Sequence, residues 1–195
     1  MRKIQAHHWP LGVFFIVTLV FTDQISKWWV TEHLLRYNAG LDFFSWLAAA
    51  PERLPYTEKT ISGFFNVVMV WNEGISFGMF TSQSAVTTLA ITVLTSLVAL
   101  IFFIWMVRTE NRGLAAALSL IIGGALGNII DRTRFGAVID FLDFHLFNTH
   151  WPAFNIADTS IVLGILFILY DSLFTVKKTK RKKRIVENKN HEKNT

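Results

Sequence analysis

The chain has 195 residues, of which 52% are hydrophobic, a formal net charge of +5 and no cysteine. The absence of cysteine excludes a thiol nucleophile, a disulfide framework and thiolate ligation of a metal or iron–sulfur cluster. The apolar residues form blocks about as long as a bilayer is thick, which indicates spanning helices rather than the amphipathic helices of a soluble core.

The first apolar block covers residues 11–30 and follows Arg2 and Lys3. It resembles a secretory signal peptide in its position and in its basic start. However, the apolar run is too long for the hydrophobic region of a signal peptide, and Asp23 and Lys27 interrupt it. We therefore expect a helix that is retained in the protein.

Three further blocks, at residues 85–107, 113–130 and 156–176, are each long enough to cross a bilayer. The predicted fold is a membrane all-α bundle of four transmembrane helices with a small extracytoplasmic β-sheet or loop region. We expect one catalytic domain over residues 1–176 and a disordered basic tail over residues 177–195.

Four spans place both termini on one side of the membrane, and the basic tail makes that side cytoplasmic by the positive-inside rule. A basic tail directly after a spanning helix indicates orientation rather than binding to nucleic acid. Residues 31–84 and 131–155 then face outward. Within the first of these segments, β-branched and aromatic residues at positions 64–71 before the turn signal Asn72-Glu73-Gly74 predict a small hairpin or sheet.

Ionisable residues inside the spans are costly unless they are paired or reach water, so each is a candidate for function. Asp23 and Lys27 are four residues apart and lie on one face of the first helix, where they can pair. The spacing leaves three interpretations open: a structural ion pair, a lysine that reaches the headgroups, and a catalytic role.

The third helix carries glycines just before a group of polar residues. Gly123 and Gly127 form a small-xxx-small pair, which permits close approach of another helix. Asn128 and Asp131 follow on one face, with Arg132 beside them. We expect a hydrogen-bonded polar cluster at the outer boundary of the membrane.

Two further carboxylates are Asp140, within the second outer segment, and Asp158, just after it. Because the third helix ends outside and the fourth begins there, Asp140 and Asp158 must lie at nearly the same depth. Two carboxylates that share one proton can carry out aspartic peptidase chemistry. Alternatively, Asp158 only caps its helix and Asp140 is a solvated loop residue. The spacing does not distinguish these alternatives.

Other catalytic groups fit less well. Ser26 and Lys27 are adjacent and point in different directions from a helix, which argues against a serine–lysine dyad. His145 and His150 are five apart in a segment without helical period and do not indicate a metal site. No cofactor and no metal are expected.

Five motifs, in this order along the chain, resemble lipoprotein signal peptidase, the type II signal peptidase of bacteria. They are Asp23-Gln24-Ile25-Ser26-Lys27, Trp71-Asn72-Glu73-Gly74-Ile75-Ser76-Phe77-Gly78, Gly123-Gly124-Ala125-Leu126-Gly127-Asn128-Ile129-Ile130-Asp131-Arg132, Val138-Ile139-Asp140-Phe141 and Phe154-Asn155-Ile156-Ala157-Asp158. The resemblance implies an aspartic endopeptidase that removes signal peptides from prolipoproteins just before a diacylglyceryl-modified cysteine. It also implies a monomer in the bacterial inner membrane, in contact with lipids, with its active site at the extracytoplasmic face.

The resemblance further implies that Asp140 and Asp158 are the catalytic aspartates. The residues implied to bind substrate or support the dyad are Asp23, Lys27, Asn72, Gly74, Asn128, Asp131, Arg132 and Asn155. In this interpretation Asn128 and Arg132 orient the substrate backbone or the dyad.

The sequence departs from the family pattern in two places. Ser76 stands where alanine is common, a change between small residues that should be tolerated. Residues 41–59 look like an insertion, to which no family role can be assigned. Its aromatic residues Phe43, Phe44 and Trp46 are expected to rest on the membrane surface.

The alternative from a different functional class is a small transporter or channel subunit that uses the same aspartates as a proton or cation relay. Such a relay needs a polar path to both faces of the membrane. The inner halves of the last three helices are almost wholly apolar, which favours the peptidase.

Overall fold

A computed structural model of the chain describes residues 9–37, 40–49, 51–74, 85–147 and 149–173. The helices are α1 (Trp9–Trp29), the short α2 (Phe43–Ala49), α3 (Ala85–Arg108), α4 (Arg112–Phe135) and α5 (Ile156–Leu173). Helix α1 continues as a π-helix over Val30–Leu35. Within the described residues, α1 with this extension, α3, α4 and α5 are long and apolar enough to span a membrane, as predicted.

Helix α4 is the central helix of the bundle. Small residues, among them Ala117, Gly124 and Gly127, lie on its buried face and let neighbouring helices approach closely. Helix α3 is placed differently, since its only buried residues in the described structure are Ala99 and Met106. Most of the exposed side chains of α3 are apolar, among them Leu89, Leu94 and Ile101.

A four-stranded antiparallel sheet covers one end of the bundle, which we call the sheet end. Its strands, in spatial order, are β1 (Glu58–Ser62), β2 (Phe65–Asn72), β3 (Val138–Leu146) and β4 (Thr149–His150). The predicted hairpin is confirmed as β1 and β2. Strand β3 was not predicted, and it pairs with β2 so that Val70 is opposite Asp140.

Helix α4 extends to Phe135, five residues beyond the predicted end at residue 130. Gly136 ends the helix in the left-handed region with a φ of 71°, and its N–H donates to the Arg132 carbonyl at 2.9 Å. Asp131 and Arg132 therefore lie in the last turns of the helix, which extends into the predicted outer segment 131–155.

The expectation that Trp46 rests on the membrane surface is wrong. Trp46 lies on α2 and is only 1% exposed, in a core that includes Val30, Met69 and Ile139. Phe44, on the other side of α2, is 76% exposed. The 41–59 segment thus buries its tryptophan against the sheet and the end of α1.

Some predictions concern residues outside the described ranges. These are the interpretation of Ser76, the orientation signal from Arg2 and Lys3, and the disordered tail at residues 177–195.

We predict that Gly124→Ala destabilises the protein. A Cβ at Gly124 would press against the Ala157 carbonyl oxygen of α5 and lie 2.5 Å from Ser160 Oγ. Alanine adds about 1 kcal/mol of helix propensity, but overpacking against a backbone atom costs about 1 to 3 kcal/mol. The melting temperature of the detergent-solubilised protein should therefore fall.

The matched control is Gly63→Ala in the β1–β2 turn, where an added Cβ meets no described atom within 4 Å. Its melting temperature should remain close to wild type. A Gly124→Ala protein as stable as wild type would contradict the close α4–α5 contact.

Candidate active site

Asp140 is a buried carboxyl group on β3, with 1% of its surface exposed. Asn72, at the end of β2, donates its Nδ2 to Asp140 Oδ2 at 2.9 Å. Asn155, just before α5, donates its Nδ2 to Asp140 Oδ1 at 2.8 Å. The alternative that Asp140 is a solvated loop residue is therefore wrong.

Asp158 lies in the first turn of α5. Its backbone N–H donates to Asn155 Oδ1 at 2.9 Å, and its Oδ2 accepts from the Asn155 backbone N–H at 3.3 Å. This reciprocal arrangement is a helix-capping box, so the capping interpretation is confirmed for one carboxylate oxygen. The other oxygen, Oδ1, accepts from Asn128 Nδ2 at 2.8 Å.

Two asparagine side chains connect the two carboxyl groups. Asn155 Nδ2, which binds Asp140, also lies 3.3 Å from the Oδ1 atom of Asn128, which binds Asp158. Burial is the main cause that raises the pKa of Asp140, and with the nearby negative charge of Asp158 it brings that pKa to about 7. The pair can therefore hold a proton at neutral pH, which is the requirement for general acid–base chemistry with two carboxyls.

Below the pair lies a buried ion triad. The Lys27 Nζ atom is 2.7 Å from Asp23 Oδ2 and 2.7 Å from Asp131 Oδ2, and all three side chains are 0% exposed. Of the three interpretations of Lys27, the structural ion pair fits these contacts. A lysine that reaches toward the headgroups is excluded, because its ammonium group is enclosed between two carboxylates.

The triad also binds the backbone next to each member of the pair. Asp23 Oδ1 accepts from the Ala157 N–H at 3.0 Å, one residue before Asp158. Asp131 Oδ2 accepts from the Ile139 N–H at 3.1 Å, one residue before Asp140. The two carboxylates of the triad thus fix the chain positions of α5 and β3 relative to α1 and α4.

Arg132 lines a cavity of about 570 Å³ between α3, the end of α4 and the sheet end. Its Nε atom is buried and has no hydrogen-bond partner among the described residues. Arg53, Glu73 and Thr88 also line this cavity. The guanidinium of Arg132 is close enough to Asp158, Asp140 and Asp131 to interact with their charges.

Gly74 ends the turn after β2. Its φ is 94°, and its N–H donates to Asn72 Oδ1 at 2.8 Å, which fixes the amide whose other end binds Asp140. A Cβ at this position would collide with Ile91 of α3. Glycine is therefore required both by the backbone conformation and by the close approach to α3.

The structure brings the site residues expected from the sequence to the sheet end. Three residues in the same region were not predicted. Gln24 donates its Nε2 to Asp131 Oδ1 at 2.9 Å, and its place between Asp23 and Lys27 was a signal for it. The signal for Glu73 was its place between Asn72 and Gly74 in the second motif. Arg53 carried no such signal, because no family role could be assigned to the 41–59 segment.

The two histidines of the second outer segment do not form a larger ligand group. His145 and His150 stack with ring centroids 4.9 Å apart, and His150 Nδ1 lies 2.9 Å from Asp143 Oδ2. Within the described ranges, no group of three or more His, Cys, Asp or Glu side chains could hold a metal ion.

We predict that Lys27→Met strongly destabilises the protein. The substitution keeps the volume but leaves Asp23 and Asp131 buried without their counter-ion, which costs about 3 to 5 kcal/mol when a buried pair loses one partner. Unfolding in detergent, followed by circular dichroism against denaturant, measures the loss. Lys59→Met removes an exposed lysine on β1 and should unfold like wild type. Equal stability of the Lys27 and Lys59 variants would contradict the role of the triad.

Comparison with known proteins identifies the family. A family model described as signal peptidase (SPase) II matches residues 15–174. The lipoprotein signal peptidase of Burkholderia vietnamiensis is 42% identical over 172 residues, which cover 87% of this chain and 90% of the relative. That of Rickettsia conorii is 35% identical over 162 residues, which cover 83% of this chain and 72% of the relative.

The fold is also that of a solved protein. A bacterial membrane enzyme, solved by the in meso method at 2.3 Å resolution, matches with a TM-score of 0.62 and 26% identity, covering 89% of this chain and 94% of the other. The four helices and the small sheet are thus shared with this enzyme, as the predicted fold class requires. The chain therefore belongs to the signal peptidase II family, a family of aspartic peptidases.

Proposed function

We propose that this protein removes the signal peptide from diacylglyceryl-modified prolipoproteins, with Asp140 and Asp158 as its catalytic pair. One observation carries the assignment of the pair. The two carboxyl groups come from different elements, β3 and α5, and are held in one hydrogen-bonded network by Asn155 and Asn128. Cleavage takes place just before the lipid-modified cysteine, as the family resemblance implies.

In the proposed mechanism the two aspartates have different roles. Asp158 lies in the first turn of α5, where the helix dipole favours negative charge, and it acts as the general base. It takes a proton from a water molecule, whose oxygen attacks the scissile carbonyl carbon. Asp140 is protonated and donates its proton to the carbonyl oxygen. Collapse of the tetrahedral intermediate breaks the C–N bond, and a proton from Asp158 leaves with the amine. One of the two hydroxyl groups of the intermediate returns its proton to Asp140, which restores the starting protonation of the pair.

Arg132 and Asn72 prepare the site for this reaction. The guanidinium of Arg132, which lines the cavity, binds a peptide carbonyl of the substrate and places the scissile bond near the pair. Asn72 holds Asp140 Oδ2 and keeps the carboxyl group in one orientation. Fixed geometry of this kind lowers the barrier because the reacting groups need no reorganisation.

The proposed orientation places the sheet end outside the cytoplasmic membrane and both termini in the cytoplasm. A lipid-anchored substrate then meets the pair at the depth of its own scissile bond. The exposed apolar faces of α1 and α3 contact membrane lipids. The proposed enzyme is a monomer in which residues 1–176 form one catalytic domain.

The alternative prediction, a transporter or channel subunit, is not supported. The matching family is one of peptidases, and the curated relatives are named as lipoprotein signal peptidases.

The Asp140→Asn and Asp158→Asn variants should each lose activity by about 10³-fold or more, because each removes one proton-transfer group. The assay uses the purified protein with a diacylglyceryl-modified prolipoprotein, and it follows the shortened lipoprotein by gel mobility and mass. Asp42→Asn is the matched control, since Asp42 is an exposed cap of α2 and asparagine also caps helices. Undiminished cleavage by either dyad variant would refute the assigned pair.

The plot of kcat/KM against pH should decline on its basic side from near neutral pH, and we call this decline the basic limb. Asp140 must be protonated to act as the acid, and its pKa is raised to about 7 by burial and by the charge of Asp158. As the pH rises through that value the proton is lost, so kcat/KM should fall about tenfold per pH unit above it. A profile that stays flat up to about pH 9 would contradict Asp140 as the proton donor.

A further inference from the structure

Two arginines join the insertion at residues 41–59 to the end of α4. One belongs to α4 and donates to the insertion, and the other belongs to the insertion and donates to α4. Arg134, on α4, donates its Nη2 to the Trp46 carbonyl of the insertion and stacks over the Trp46 ring at 4.2 Å. Arg53, in the insertion, donates its Nε to the Phe135 carbonyl of α4 at 3.0 Å. Its Nη2 donates to the same carbonyl at 2.5 Å.

The Phe135 carbonyl is one of the last of α4, and carbonyls at a helix end lack partners within the helix. A guanidinium is well suited to this position, because its positive charge complements the helix dipole and two of its N–H groups donate to the same carbonyl oxygen. Arg53 therefore fixes the last turn of α4. That turn also carries Arg132.

Arg53 reaches a second element of the site. Its Nη1 lies 2.7 Å from Glu73 Oε1, and its guanidinium stands 5.3 Å from the centroid of the Trp71 ring. Glu73 is the neighbour of Asn72, whose side chain holds Asp140 Oδ2. One guanidinium thus joins the end of α4 to the turn that positions Asn72.

The solvent exposure of the Arg53–Glu73 ion pair indicates that it contributes to geometry more than to stability. The side chains of Arg53 and Glu73 are 38% and 32% exposed on the cavity wall. Ion pairs with this much solvent contact add little to stability. The Arg53–Glu73 pair can still hold the turn at Asn72 in position, because two hydrogen bonds to the Phe135 carbonyl already fix the Arg53 side chain.

We propose that Arg53 is a positioning residue of the peptidase, which acts on Asp140 through Glu73 and Asn72 and on Arg132 through the last turn of α4. This inference rests on the proposed function and adds to it a role for the 41–59 insertion. The insertion completes the wall of the substrate cavity and sets the geometry of the acid, although it lies outside the family motifs.

The central test is Arg53→Gln, assayed with the diacylglyceryl-modified prolipoprotein over a range of pH. We expect kcat to fall about tenfold, with a smaller change in KM, because the acid loses its orientation. The basic limb should move to higher pH, since the hydrogen bond from Asn72 lowers the pKa of Asp140. The other charged groups that face Asp140, namely Asp158, Lys27 and Arg132, are the same in both proteins.

Three further variants separate the contacts. Arg53→Lys keeps the charge beside Glu73 but loses the planar fork on Phe135, and it should recover part of kcat. Glu73→Gln should move the basic limb in the same direction as Arg53→Gln. The double variant should be no worse than Arg53→Gln alone, because both residues act through one turn. Lys59→Gln removes an exposed charge nearby and should behave as wild type.

Each of the following outcomes would overturn the proposal. A lower yield of active enzyme with unchanged KM and pH profile would assign Arg53 a purely structural role. A rise in KM alone would make it a direct substrate contact, and additive effects in the double variant would separate Arg53 from Glu73.

A second measurement needs no substrate. The infrared band of the protonated Asp140 carboxyl, identified by its loss in Asp140→Asn, should disappear at higher pH in Arg53→Gln than in wild type. An unchanged titration refutes the role of Arg53. Absence of cleavage by the wild type would instead refute the proposed function.

Discussion

The arrangement of this protein depends on one buried ammonium group. Lys27 lies between the carboxylates of Asp23 and Asp131, and none of these three ionisable side chains has solvent contact. Burial of such charges is costly unless further hydrogen bonds satisfy them. The donors are the Gln24 side-chain amide and the backbone N–H groups of Ala157 and Ile139. The triad is therefore stable only when α5 and β3 are in place, and those elements carry Asp158 and Asp140 directly after the two bound amides.

This requirement explains the glycines of α4. A Cβ at Gly127 would lie 2.5 Å from Asp23 Oδ2, and one at Gly123 would lie 2.7 Å from the Leu19 side chain, so both glycines leave room for α1. The small-xxx-small pattern is common in helix packing and by itself indicates no function. Here it lets the carboxylate of Asp23 pass α4 and reach the backbone of α5. The close packing of α1 on α4 is thus what allows the polar network to form.

The sequence predicted those features that depend on apolar length and topology. The lengths of the apolar blocks were sufficient to predict the four spans. The order of these spans along the chain placed Asp140 and Asp158 at nearly the same depth in the membrane. The end of α4 was missed because hydrophobic periodicity stops at residue 130. The polar residues beyond it, such as Arg134, make tertiary contacts with Trp46 and Gln24 that no local pattern reveals. Trp46 was misplaced for a related reason, since an aromatic cluster suits a membrane surface and a protein core equally well. Lys27 remained ambiguous because the contact with Asp131 is far away in sequence.

The two aspartates of the proposed pair are made different by the elements that hold them. Asp140 lies on a strand and accepts hydrogen bonds from two neutral side-chain amides, Asn72 and Asn155, while burial raises its pKa to about 7. Asp158 lies in the first turn of a helix, where its Oδ2 accepts from the Asn155 backbone N–H and its Oδ1 accepts from the Asn128 amide. Two carboxyl groups in unequal environments divide the roles of acid and base without any other titrating group. A strand on one side of the site and a helix N-terminus on the other therefore supply the asymmetry that a protease with two aspartates needs.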